Sequence, residues 1–137
     1  MSIFSSPKFL RNLLLLDAAS CVGCGALQVF ATGSASSMMG LAPGLLMETG
    51  VLLLVYACVV AFIATRNPVP RALVWLLVFG NLGWAVLCVG LLLSGAVHPT
   101  ALGSGYVILQ AVTVLLLADL QWFGLSASRG KHRLQGL

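Results

Sequence analysis

Charge is what this sequence is short of. Only seven Lys or Arg and three Asp or Glu occur in 137 residues. Soluble domains carry about a quarter charged residues. A chain that is 7% charged and 60% hydrophobic, with a mean hydropathy of +1.07, cannot clothe itself for water. The lipid bilayer is therefore its expected solvent, and one membrane domain over 1–137 uses nearly the whole length. Cysteine is missing from every expected loop: Cys21, Cys24, Cys58 and Cys88 all lie in apolar runs. That excludes a disulfide framework and leaves small buried thiols. No cluster of acids, histidines or nucleophiles forms a catalytic constellation, so we read the protein as non-enzymatic, with no cofactor and no metal.

What is present is apolar length. Runs over approximately 9–31, 44–65, 72–93 and 105–125 can each cross a core of about 30 Å as a helix. The expected fold is all-α, a four-transmembrane-helix bundle, with loops over 32–43 and 94–104. A tight turn, Arg66 to Arg71, carries two prolines, and a short basic tail occupies 126–137. A signal peptide is the rival reading of the first run. That run is longer than a usual signal core and contains Asp17, so we expect it to be retained.

The charges that exist are sorted. All seven bases flank the runs: Lys8, Arg11, Arg66, Arg71, Arg129, Lys131 and Arg133. All three acids, Asp17, Glu48 and Asp119, lie within them. This basic surplus reads as a topology signal rather than a nucleic-acid surface. The positive-inside rule puts both termini in the cytoplasm of a multi-pass protein. The bilayer is the expected partner, and association as a homodimer or within a larger membrane complex stays open.

The polar residues inside the runs are the candidate site. In the first run Asp17, Cys21, Cys24 and Gln28 share one helical stripe, which should face protein. By rise per residue, Asp17 lies about 12 Å and Asn81 about 13 Å in from the basic side, an inner layer. Gln28, Glu48 and Gln110 lie within about 10 Å of the other side, an outer layer below His98. Asp119 is about 9 Å in but on the face opposite Gln110, so we expect it to meet another protomer or subunit.

Each candidate has two readings. Asparagine and glutamine in a membrane often only cross-link helices, and Glu48 reads as an acid near a helix start. Asp17 is harder to dismiss, because an acid at mid-bilayer costs at least about 2.5 kcal/mol. It is either a register-fixing hydrogen-bonded group or a titratable site that carries protons. Cys21 and Cys24 form a C-x-x-C, a redox and metal spacing. A metal would want a second pair or histidines at that depth, and none is there. Trp75, Trp84 and Trp122 read as interface and packing residues.

Four short helices with an acid in the first resemble the small multidrug resistance transporters in architecture. Their acid is a glutamate in its own motif, whereas Leu16-Asp17-Ala18 stands here. The C-x-x-C resembles that of quinone-linked disulfide oxidases, which carry a second pair in an outer loop that is cysteine-free here. A broader likeness runs over residues 10–125. It rests on Leu16-Asp17-Ala18-Ala19, Ala72-Leu73-Val74-Trp75, Asn81-Leu82-Gly83-Trp84, Pro99-Thr100-Ala101-Leu102-Gly103, Gln110-Ala111, Leu120-Gln121 and Gly124-Leu125. This pattern is similar to a group of small, uncharacterised four-helix bacterial integral membrane proteins. The resemblance implies the four-helix fold and a bacterial inner membrane, and it implies no activity.

Overall fold

The computed structural model describes residues 7–67 and 69–135, with side chains for 8–67, 69–127 and 129. Five helices form among the described residues: α1 Pro7–Phe30, α2 Thr32–Met39, α3 Pro43–Ala64, α4 Arg71–Leu93 and α5 Ala101–Gln135. Four of them, α1, α3, α4 and α5, are long and apolar enough to cross a membrane, the mark of a multi-pass membrane protein. Their outer faces carry large exposed apolar side chains such as Phe30, Leu76, Phe79, Val86 and Leu93. Water would not tolerate that surface, and lipid does.

The segment over 32–43 corrects one expectation. It is not a loop throughout, because Thr32–Met39 is the helix α2. Alanine and methionine are good helix formers, and Ala35 and Met39 are buried against the uncharged end of the longer helices. Gly40 then ends the helix in the left-handed region at φ 68°, which glycine adopts without strain. The loop over 94–104 is also shorter than expected. The Thr100 hydroxyl accepts the Gly103 N–H at 3.2 Å, an N-cap that starts α5 at Ala101. Thr100 further ties α5 to α2, its N–H donating to the Met39 carbonyl at 2.9 Å. At the other end α5 does not stop at Leu125 but continues to Gln135. The side chains of Lys131 and Arg133, residues 1–6 of the polar lead, and Pro68 of the turn lie outside the described residues.

The four long helices pack as two pairs. α1 packs chiefly on α3, and α4 on α5. α3 and α4, the two long helices joined by the shortest connection, barely touch. Two glycines explain the first pairing. A Cβ on Gly25 would lie 2.9 Å from the Gly50 carbonyl oxygen, and one on Gly50 would lie 2.8 Å from Gln28 Cβ. Only glycine allows these backbones so close, the usual device of tight helix pairs in lipid.

One end of the structure gathers Arg11, Arg66 and Arg71. Arg11 Nη2 donates to the Arg66 carbonyl at 3.2 Å, joining α1 to the end of α3. Arg71 Nη2 donates to the Leu125 carbonyl at 2.8 Å, joining α4 to α5. Just inside this end lies a core of Leu14, Val60, Ile63, Val74, Leu77 and Leu125.

Candidate functional site

Beneath that core the helices meet around one carboxyl group. Asp17 of α1 is 0% exposed. Its Oδ2 accepts from Gln121 Nε2 at 2.8 Å and from Asn81 Nδ2 at 3.2 Å. Its Oδ1 takes the Cys21 thiol at 3.7 Å. Asn81 Nδ2 also donates to Gln121 Oε1 at 3.3 Å, and the Tyr56 hydroxyl donates to Asn81 Oδ1 at 3.2 Å. One network therefore links α1, α3, α4 and α5. Lipid supplies no hydrogen bonds, so such groups must find one another. Both carboxyl oxygens and both amides are occupied, which fixes the helices' rotation and register.

The sequence pattern anticipates the ingredients unequally. Asp17 and Asn81, at similar depth by counting rises, are within hydrogen-bond distance. Gln121 and Tyr56 are participants that the sequence reading leaves out of the candidates. The sequence holds a signal for Gln121, because it lies about three turns of 3.6 residues from Gln110 and so shares its face. Tyr56 gave none beyond being a hydroxyl within an apolar run.

A second network lies nearer the uncharged end. Gln28 is 2% exposed. Its Nε2 donates to the Tyr106 hydroxyl at 2.7 Å, and its Oε1 accepts from the Thr49 hydroxyl at 2.7 Å. Beside it the Trp84 indole N–H donates to Gln110 Oε1 at 3.1 Å. Gln28 thus links α1 to α3 and α5, while Gln110 links α5 to α4. Thr49 follows Glu48 and precedes Gly50, so the close approach of α1 and α3 is what delivers its hydroxyl to Gln28.

Glu48 does not join this layer; it is exposed, one residue before the inward Thr49. It also falls beyond the first turn of α3, which holds no acid. His98 is exposed in the loop before α5. Asp119 is exposed, whereas Gln121, two residues on and about 200° around the helix, is fully enclosed. Asp119 therefore sits on the outer surface at about the level of the buried network.

The four cysteines are free thiols: Cys21 and Cys88 buried, Cys24 half-buried, Cys58 exposed. Among the described residues no group of three or more His, Cys, Asp or Glu could hold a metal ion.

Two cavities flank Cys21. One of about 160 Å³ opens between α1 and α5, lined by Ser20, Cys21, Cys24, Leu109 and Thr113 among others. The other, about 170 Å³, opens between α3 and α4, lined by Leu52, Tyr56, Gly80 and Asn81 among others. Both have Cys21, Leu53, Trp84 and Val114 in their walls. Among the described residues, the networks around Asp17 and Gln28 and these two cavities are the main candidates for function. No protein-family model matches the chain, and no match was found among curated proteins or solved structures.

Proposed function

We propose that the chain is a non-enzymatic four-helix bundle of a bacterial inner membrane that serves as an accessory or assembly subunit of a larger membrane complex. The observation that carries this reading is the contrast between two acids. Asp17 is used up inside the protein, with both oxygens accepting. Asp119, at nearly the same depth, is exposed on α5. Hydrocarbon cannot hydrogen-bond it, so a second polypeptide is the group that would shelter it. The gathering of Arg11, Arg66 and Arg71 at one end supports cytoplasmic termini by the positive-inside rule.

The test is the mass of the purified particle in mild detergent. The wild-type protein is expected in a hetero-complex, and Asp119→Leu is expected to release it as a monomer of unchanged stability. A wild-type monomer, or a complex that survives Asp119→Leu, would overturn the reading. A homodimer would replace it with self-association.

A small proton-coupled carrier working through Asp17 is the rival. One observation favours it: the cavity between α3 and α4 is walled by Tyr56 and Asn81, both members of the Asp17 network. Asp17→Asn separates the two. Asparagine keeps the size and one acceptor oxygen, so the accessory reading expects normal yield and assembly. A carrier needs the titrating carboxyl. Proton flux into vesicles that the wild type supports and Asp17→Asn abolishes would install the carrier instead.

A further inference from the structure

The helices leave a gap where the α1–α3 pair faces the α4–α5 pair. Contact across it is sparse between α1 and α5 and slight between α3 and α4. The two cavities sit back to back in this gap, sharing Cys21, Leu53, Trp84 and Val114 as walls. Val114 and Trp84 each lie about 20 Å along their helices from the first residue, near the middle of a core of about 30 Å. Leu109 at one mouth is 64% exposed and Leu52 at the other is 55% exposed. Both mouths therefore open sideways toward hydrocarbon, not toward water.

We infer that this gap is a binding site for the acyl chain of a membrane lipid, which enters sideways from the bilayer. Water is a poor occupant, because it needs two to four polar partners. The polar atoms nearby are largely engaged: Asn81 with Asp17 and Gln121, Trp84 with Gln110. An apolar cavity of about 150 Å³ stays dry and takes a benzene-sized molecule. Each half of the gap thus holds roughly six carbons of a chain by that comparison. Left empty, the walls forfeit their dispersion contacts. At this depth the bilayer presents chain methylenes and methyls, while its head groups stay at the surface. The chain completes the packing between the two helix pairs and makes their spacing sensitive to the lipid.

Trp84 reports on the site because its side chain lines both cavities. The protein carrying Trp75→Phe and Trp122→Phe leaves Trp84 as the sole tryptophan. Reconstituted in phosphatidylcholine brominated near mid-chain, it is expected to lose much of its fluorescence to bromine contact. Gly80→Phe and Thr113→Phe, which plug the two mouths, are expected to restore it. Gly80 has only the Tyr56 ring within 4 Å of an added Cβ, and Thr113 is only partly buried, so both should fold. Circular dichroism checks that they do. As a second readout, native mass spectrometry should find a lipid retained by the unplugged protein and lost from the plugged one. Equal quenching before and after plugging would show that bromines reach Trp84 only from the outer surface, and the inference would fall.

Discussion

Gly50→Leu is expected to destabilise the folded state by about 2 to 3 kcal/mol, read as reversible unfolding in mixed detergent. A Cβ at this position would lie 2.8 Å from Gln28 Cβ, 2.9 Å from Val29 Cγ2 and 3.1 Å from the Gly25 carbonyl oxygen. None of these is the loose end of a long side chain. The helices must part, and overpacking of that kind costs about 1 to 3 kcal/mol, occasionally more. Leucine improves local helix propensity by somewhat under about 1 kcal/mol, which offsets only part of the loss. Separation also pulls the Thr49 hydroxyl from Gln28 Oε1. Gly23→Leu is the control. An added Cβ there meets nothing within 4 Å and the position is exposed, so stability should hold or rise slightly. Equal losses at the two positions would mean that glycine content, not close approach, matters.

That pair of glycines also marks where reading the sequence stops. The four long helices are legible because each apolar run meets a single length criterion. The partner of each helix is not. Short connections stand on both sides of α4, yet α4 packs on α5 and barely touches α3, which Gly25 and Gly50 bring against α1. Matching two glycines on separate helices requires the register that folding itself decides.

The same limit applies to the candidate site. Rise per residue gives similar depths for Asp17 and Asn81, but depth does not say which glutamine completes the set. Gln121 reaches Asp17, while Gln110, on the same face of α5, takes the Trp84 indole at the next level. Glu48 shows the cost of depth without angle. It lies one residue from Thr49 in the outer layer, and that one residue turns it out of the protein. Helix α2 was hidden for a different reason. Its serines and Gly33 carry a loop composition, and what secures it is burial of Ala35 and Met39, a tertiary effect.

Asp17→Leu should part insertion from folding. Leucine removes an acid that costs at least about 2.5 kcal/mol in mid-bilayer, so the first helix should enter the membrane more readily. The assembled state should nonetheless weaken by about 2 kcal/mol, for two reasons. Gln121 Nε2 loses its acceptor, and Asn81 Nδ2 keeps only Gln121 Oε1. The wild-type helix also gains by hiding its acid on assembly, a driving force that leucine does not have. Individual hydrogen bonds in membranes average about 0.6 kcal/mol, so no single bond accounts for the change. Asp17→Asn keeps an oxygen facing both amides and turns its own amide toward the Cys21 sulfur, so it should retain most of the stability. The measurement is paired: a glycosylation-reporter assay for insertion of the first helix, and unfolding of the purified protein. If leucine stabilised both, the network around Asp17 would not be what sets the rotation of these helices. If asparagine destabilised as much as leucine, the carboxylate charge itself would be holding them.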